Sequence, residues 1–402
     1  MFIRIIKSQI QKGYSYVQSI VQTRSKFSTF IVKRKFRLQM AQPAVANPHV
    51  AKWSTLSRHY FLTIVVAALL LSSCQKEKLS DTVVNSTNTS SSAEAKLAFP
   101  WFRKDPVSNY GALIGAPDQT DNDDFQLNVA DQLGITCLRE RVLVPCKFLN
   151  TSLVPELNTS YKVLLNFDSP KNEDGSLLPF VSDLAQYKID LIDILNTLVS
   201  MPDVAVIENE ESNHYYYSGT PGEYIDQLNA AITIMHARGI KVANGGITST
   251  GLCYLVYQDL LAQGKEDSAE EFKQAVNVTP NSSVTQERGD FIDKLLNAYT
   301  NMDLDYVNFH WKATSPDTQA FNTVINYLQK RTGKKVISNE LGQFDEDPNT
   351  LEAHVQACTN QQFPYIIWYS PDENDGKKGT PLQHSDASLT PTGVGYQDYL
   401  AD

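Results

Sequence analysis

The sequence predicts an α/β fold, a (β/α)₈ barrel of the TIM type, and three observations carry that expectation. Past Phe99 the chain alternates short β-rich runs with longer amphipathic stretches, the pattern of a parallel sheet covered by helices. The short runs number eight, the count that closes a barrel. Roughly 300 residues follow the first hundred, a length that suits one such domain.

The runs read as strands are Tyr110–Gly115, Ile135–Arg139, Lys162–Phe167, Val204–Glu208, Lys241–Asn244, Tyr306–His310, Val336–Asn339 and Tyr365–Trp368. Between them, Leu184, Tyr187, Leu191, Leu195 and Leu198 recur at three- and four-residue spacing, as do Tyr224, Leu228, Ile232 and Met235. Each set gives a helix one apolar stripe for the sheet. Pro221 before the second stripe and Gly239 after it mark the ends of that helix. The connection after the fifth strand, from about Thr248 to Gly289, is the longest; it is expected to hold one helix and an excursion at Val278–Gln286.

Charge narrows the function. Eleven of the 35 basic residues and none of the 45 acids lie in residues 1–73, so the remainder carries 24 bases against 45 acids, a formal charge of −21. An acidic body repels phosphate backbones and anionic headgroups, which argues against nucleic acid and against electrostatic membrane docking. A neutral substrate and a monomer are expected. The five cysteines, Cys74, Cys137, Cys146, Cys253 and Cys358, show neither metal-ligand nor C-x-x-C spacing. Cys137 and Cys146 are the only candidates for a pair, and their placement in a strand and in the loop beyond it argues against one. No Gly-rich phosphate loop or His-rich cluster is present, so neither a cofactor nor a metal is expected.

The first 98 residues read as an export and anchoring segment. Tyr60–Leu71 is an apolar run of twelve preceded by Lys52, Arg58 and His59. Twelve helical residues span about 18 Å, too short for a bilayer core of ~30 Å, so the run reads as the hydrophobic part of a signal peptide. Leu71-Ser72-Ser73-Cys74 resembles the lipobox of bacterial lipoproteins, which implies lipidation at Cys74 and a place in the bacterial cell envelope, anchored to the outer membrane. Residues 1–73 are thus the extension and signal peptide, with Met40 giving a signal of ordinary length and residues 1–39 reading as an over-extended start. Residues 74–98 read as a Ser/Thr/Asn-rich tether and 99–402 as the barrel.

Active sites of parallel barrels lie at the C-terminal ends of the strands, so polar residues directly after an apolar run take priority. Two segments stand out. In Val204-Ala-Val-Ile-Glu-Asn-Glu-Glu211 the aliphatics give way to three acids and an Asn, and in Val336-Ile-Ser-Asn-Glu-Leu-Gly342 they end in Glu340 alone. Such a pair suits acid–base chemistry, one carboxyl held neutral to give up a proton and one ionised to attack or to activate water. Glu208 and Glu210 fall on one side of an alternating strand, so Glu208 remains an alternative to Glu210.

Here the chain resembles clan A of the glycoside hydrolases, retaining enzymes on this barrel. The resemblance covers about residues 107–400 and assigns no particular family. It implies Asn209-Glu210 as the pair ending strand four, with Glu210 as acid/base, and Glu340 ending strand seven as nucleophile. It also implies that Arg139 bonds the nucleophile, that His310 belongs to a subsite, and that Trp368 is the platform beneath the sugar. Many members have a Tyr two residues after the His; here that position is Lys312, so Trp311 or a Tyr from another loop would take the contact. Sugars stack on aromatic rings, which makes the run Tyr215-Tyr216-Tyr217 either a subsite lining or loop packing. Ser370–Gln383, rich in Gly, Pro and charge, reads as a mobile rim. The expected function is hydrolysis of a neutral, β-linked poly- or oligosaccharide; the alternative is a catalytically silent, glycan-binding barrel, for which Lys312 and Glu211 in place of the common Pro speak.

Overall fold

The computed structural model describes residues 108–117, 122–148, 161–170, 176–376 and 379–401. Cys74, its signal sequence and the tether lie outside the described residues. No helix among the described residues is long and apolar enough to cross a membrane.

The strands are β1 (Asn109–Ile114), β2 (Cys137–Leu143), β3 (Lys147–Phe148), β4 (Lys162–Asp168), β5 (Val204–Ile207), β6 (Lys241–Asn244), β7 (Tyr306–Ala313), β8 (Lys335–Gln343) and β9 (Tyr365–Ser370). They order as β1-β9-β8-β7-β6-β5-β4-β2-β3, and β1 also pairs with β2, which closes eight parallel strands into a barrel. The ninth, β3, is a short antiparallel addition to β2 that the sequence pattern did not announce. The eight expected runs are the eight barrel strands, but β2, β7, β8 and β9 run two to four residues further at their C-terminal ends. Those extra residues carry polar side chains into the barrel mouth, where no apolar run marks them.

Helices α1 (Asn122–Leu133), α2 (Leu184–Thr197), α3 (Pro221–His236), α4 (Ser249–Ala262), α5 (Glu266–Ala275), α6 (Ser283–Asn301), α7 (Gln319–Thr332), α8 (Pro348–Asn360) and α9 (Pro391–Ala401) surround the barrel. The long connection after β6 therefore holds α4, α5 and the start of α6, not one helix. The reason lies in Gly264-Lys265, which breaks an otherwise helical stretch, Gly264 adopting φ +72°. Helix α3 shows why such segments form where they do. Thr220 and Glu223 make a reciprocal cap, Pro221 opens the first turn, and Tyr224, Leu228, Ala231 and Met235 are buried. The Tyr224 hydroxyl donates to the Ile207 carbonyl at 2.9 Å and accepts from the Gly245 amide at 3.0 Å, tying this helix to the ends of β5 and β6.

Two apolar regions result from strand alternation. Cys137, Leu164, Val206, Ala243, Ile337 and Ile367 fill the barrel interior. Val307, Phe309, Ile366 and Trp368 belong to the larger layer between barrel and helices. The two ends of the segment expected to form a mobile rim are packed in: Ser370, Thr380, Leu382 and Gln383 are buried, and the Gln383 amide donates to the Gly115, Ser370 and Pro371 carbonyls, while residues 374–376 are exposed and residues 377–378 lie outside the described residues. The Gln383 amide thus reaches the Gly115 and Pro371 carbonyls just past the ends of β1 and β9. Cys137 and Cys146 are both free, the first buried and the second exposed.

Candidate active site

The C-terminal ends of β2, β4, β6, β7 and β8 converge on a buried polar network. Arg139 on β2 is its hub. Its Nε donates to Asn166 Oδ1 at 3.1 Å, its Nη1 to Glu340 Oε2 at 2.8 Å and to the Asn339 carbonyl at 3.2 Å, and its Nη2 to Asn209 Oδ1 at 2.6 Å. Four bonds in fixed directions hold one guanidinium in place, a task that suits its planar fork.

Below the carboxylates lies a layer of asparagines. Asn166, Asn308 and Asn339 are each fully buried, and Asn244, also buried, turns its side chain to Glu211 and to the Asn308 backbone. Asn339 donates from Nδ2 to Asn166 Oδ1 at 3.1 Å and accepts at Oδ1 from Asn308 Nδ2 at 2.6 Å. Asn308 in turn accepts from the Asn339 amide and donates to the Asn244 carbonyl. Sequence reasoning passed over this layer as a unit. Its signal was there, because Asn166, Asn308 and Asn339 each stand in, or at the end of, one of the expected strand runs.

Both Asn339 and Glu340 point into the barrel, which strict alternation forbids. The reason is a bulge. Asn308 pairs with Ile337 but His310 pairs with Glu340, and on the other side Ser338 pairs with Ile366 but Leu341 with Trp368, so β8 carries one extra residue at this level. The bulge turns Glu340 toward Arg139 without turning Asn339 away.

Glu210 reaches the same space from the loop after β5. Glu208 and Glu210 both adopt the left-handed backbone region, with φ +64° and +55°, a conformation that costs about 1–3 kcal/mol for such residues. Strand β5 stops at Ile207, so alternation no longer governs these side chains, and the expectation that Glu208 and Glu210 share one side is corrected. The Glu208 carboxylate turns away and accepts from the Ser169 amide and hydroxyl, Tyr217 Oη and Gln227 Nε2, at 2.6–2.9 Å. All its acceptor directions are engaged in holding the loop. Glu210 accepts from Asn213 Nδ2 at 2.7 Å and faces His310 Nδ1 at 3.1 Å.

His310 sits between the two carboxylates, 3.1 Å from Glu210 Oε1 and 3.6 Å from Glu340 Oε2 through Nδ1. Its other nitrogen is 2.9 Å from Asn339 Oδ1, an acceptor already oriented by Asn308 and Asn166, so Nε2 carries a hydrogen. Gly246, at φ +113°, presses on this ring, and a Cβ there would run into the imidazole.

Electrostatics separates the two acids from an ordinary pair. Burial pushes Glu340 up, but the charges of His310, Arg139 and Lys312 outweigh it and bring the carboxyl down to about 2. Burial likewise pushes Glu210 up, yet the hydrogen bond and charge of His310 leave it below the usual carboxylate value. Burial alone would push His310 down; the charge of Glu340 and the bond and charge of Glu210 instead raise it. Glu211, the third acid of the segment, accepts from Asn244 Nδ2 and Tyr299 Oη on the helix side, and burial raises it to about 7.

Ligand atoms of Glu210, His310 and Glu340 lie within 4.8 Å of one another, close enough by distance for a divalent ion. Charge argues against that use, since the Arg139 guanidinium is 2.8 Å and the Lys312 ammonium 3.8 Å from the Glu340 carboxylate. A metal there would face two fixed cations.

Two aromatic side chains, Trp311 and Trp368, lie elsewhere than the sequence implied. Trp311 packs against Phe321 of α7 in the layer outside the barrel, with ring centroids 5.4 Å apart. Trp368 is fully buried in that same layer and donates from Nε1 to the Thr380 carbonyl. It therefore offers no exposed face to a sugar. Both follow from parity: His310 and Lys312 face inward on β7, and Ile367 faces inward on β9, so their neighbours Trp311 and Trp368 face outward. The inward position at the end of β9 belongs to Tyr369, whose ring lies 4.2 Å from the Lys312 ammonium. Tyr215 is 76% exposed, with the Arg288 guanidinium over its ring. Tyr217 is loop packing, stacked on Phe180 and bonded to Glu208.

Comparison of the sequence with protein-family models and with curated proteins gives no match. Among solved structures, the chain is similar to a GH128 (subgroup II) endo-β-1,3-glucanase from Sorangium cellulosum, with 12% identity over 72% of this chain and 98% of that one and a TM-score of 0.47. It is also similar to a GH128 (subgroup II) endo-β-1,3-glucanase from Pseudomonas viridiflava, with 13% identity over 72% and 98% of the two chains and a TM-score of 0.45. A GH128 (subgroup VII) oligosaccharide-binding protein from Trichoderma gamsii is similar at 11% identity over 73% and 94%, with a TM-score of 0.42. At these values the similarities assign this chain no activity.

Proposed function

We propose that the barrel is a retaining glycoside hydrolase that cleaves a neutral, β-linked poly- or oligosaccharide, with Glu340 as nucleophile and Glu210 as acid/base. The observation that carries this reading is the spacing of the two carboxylates, whose nearest oxygens lie within 4.8 Å. Retaining pairs are typically about 5–5.5 Å apart and inverting pairs about 6.5–9.5 Å, the latter leaving room for a water.

In this reading Glu340, ionised and anchored by Arg139, attacks the anomeric carbon. The proton for the leaving oxygen comes from the bond between His310 and Glu210. With Nε2–H committed to Asn339, a single proton occupies the 3.1 Å gap between His310 Nδ1 and Glu210 Oε1, and the opposite shifts of the two groups put it on the imidazole in the free site. Glu210 passes it to the leaving oxygen, then accepts a proton from the water that releases the sugar. The pre-set Arg139 and asparagine framework needs no rearrangement during either step.

Incubation with a panel of neutral β-1,3-, β-1,4- and β-1,6-glucans, β-mannan and xylan tests this proposal, with the Glu340→Gln protein run beside the unaltered one. Release of reducing ends by the unaltered protein and loss of at least ~10³-fold in Glu340→Gln is expected. Equal rates would refute the assignment, and binding without any turnover would favour the silent barrel. The same reading places the barrel at the bacterial envelope through a lipid on Cys74. Cys74→Ala is then expected to move the protein from the membrane to the soluble fraction.

A further inference from the structure

Resting on that reading, we infer that Lys312 is a charge-positioning residue that speeds release of the sugar from Glu340, the second half of the reaction. Strand β7 runs past His310, and Lys312 lies on the same inward face as Asn308 and His310. Its ammonium is 3.8 Å from Glu340 Oε1 and 4.2 Å from the centre of the Tyr369 ring. A cation resting on an aromatic face and beside a carboxylate is held in place better than one on a free tether.

The two oxygens of Glu340 are held differently. Oε2 accepts a 2.8 Å hydrogen bond from Arg139 and lies 3.6 Å from His310 Nδ1. Oε1 has Lys312 at 3.8 Å, beyond hydrogen-bond length, which leaves it less engaged than Oε2. Oε1 is therefore the oxygen that bonds the anomeric carbon, and Lys312 stands beside the bond that forms and breaks. In the first step the negative charge on Oε1 is consumed, and a neighbouring cation opposes that. In the second step water attacks the anomeric carbon and its proton passes to Glu210. The bond between the anomeric carbon and Oε1 then breaks, its electron pair returning to the carboxylate. Charge grows on Oε1 in that transition state, and Lys312 stabilises it. A tyrosine at this position would supply a hydrogen bond but no full charge.

The test uses the 2,4-dinitrophenyl β-glycoside of the sugar that the polysaccharide panel identifies, because so good a leaving group makes the first step fast. Lys312→Met, Lys312→Arg, Glu340→Gln and the unaltered protein are compared by stopped-flow and intact mass. For Lys312→Met the expected result is a burst of one phenolate per site, a covalent glycosyl adduct, and kcat lowered by ~10²-fold with KM falling in proportion, so that kcat/KM stays within a few-fold. Lys312→Arg, keeping the charge, restores kcat to within about tenfold. A fall in kcat/KM with neither burst nor adduct, or Lys312→Met kinetics equal to those of the unaltered protein, overturns the inference while leaving the hydrolase reading intact. A burst that survives in Glu340→Gln, or no turnover by the unaltered protein, overturns the hydrolase reading and this inference together.

Discussion

Arg139 and Glu340 stand 201 residues apart in the chain and 2.8 Å apart in space. The same guanidinium also reaches Asn166, Asn209 and the Asn339 carbonyl, so it fixes the ends of β2, β4 and β8 and the loop after β5 with one group.

Replacing Arg139 by Lys tests that geometry. An ammonium can keep the charge but cannot bond Asn166, Asn209 and Glu340 at once. We expect kcat/KM to fall by ~10²-fold or more while the protein remains folded. Steady-state rates beside a melting curve check this; near-normal kcat/KM would show that charge alone suffices.

On the proposed reading, His310 sets the acidic limb of the pH profile. Its positive charge lowers both Glu210 and Glu340, bringing the Glu340 carboxyl down to about 2. In His310→Ala both carboxyls lose that influence and rise. The acidic limb of kcat/KM is expected to move to higher pH by at least about one unit, measured from pH 2.5 upward. A limb that stays in place would mean that the imidazole carries no charge there.

Stability should decline across neutral pH because of Glu211. Its folded value of about 7 lies above the ordinary carboxyl value of 4.5, so the folded state holds the proton more tightly than the unfolded chain. That contribution is fully present below pH 4.5 and is lost as pH rises through 7, amounting to about 3 kcal/mol at most. Asp168, raised to about 7 by burial and by the charge of Glu208, acts in the same sense. Melting curves at pH 5 and pH 8 should therefore differ less in Glu211→Gln than in the unaltered protein. An unchanged difference would remove Glu211 as the source.

Gly246→Ala reports on the wall behind His310. A Cβ at φ +113° is strained in itself and meets the imidazole, so a stability loss of ~1–3 kcal/mol is expected together with a fall in kcat. Retained kcat at lowered stability would indicate that the ring tolerates displacement.

How much of this was legible depended on the kind of signal. Each barrel strand announced itself by an apolar run, and the change to polar residues after it located the segments of Glu210 and Glu340, while Arg139, Asn209 and His310 came only from the resemblance to clan A; the structure brings all five into one network. The side a residue faces was harder to read. Parity sent Trp311 and Trp368 to the helix layer, and one extra residue in β8 aimed Asn339 and Glu340 the same way. Positive φ at Glu208 and Glu210 ended alternation where the sequence still implied it. Such irregularities arise from tertiary bonds to Ser169, Gln227 and Gly245, which local sequence does not encode.

The most direct measurement is the anomeric configuration of the first product, followed by proton NMR immediately after the protein is added to its accepted β-linked substrate. Double displacement through Glu340 predicts that the β-anomer appears first and mutarotates only later. Initial appearance of the α-anomer would contradict the account, because direct displacement by water leaves Glu340 no role as nucleophile.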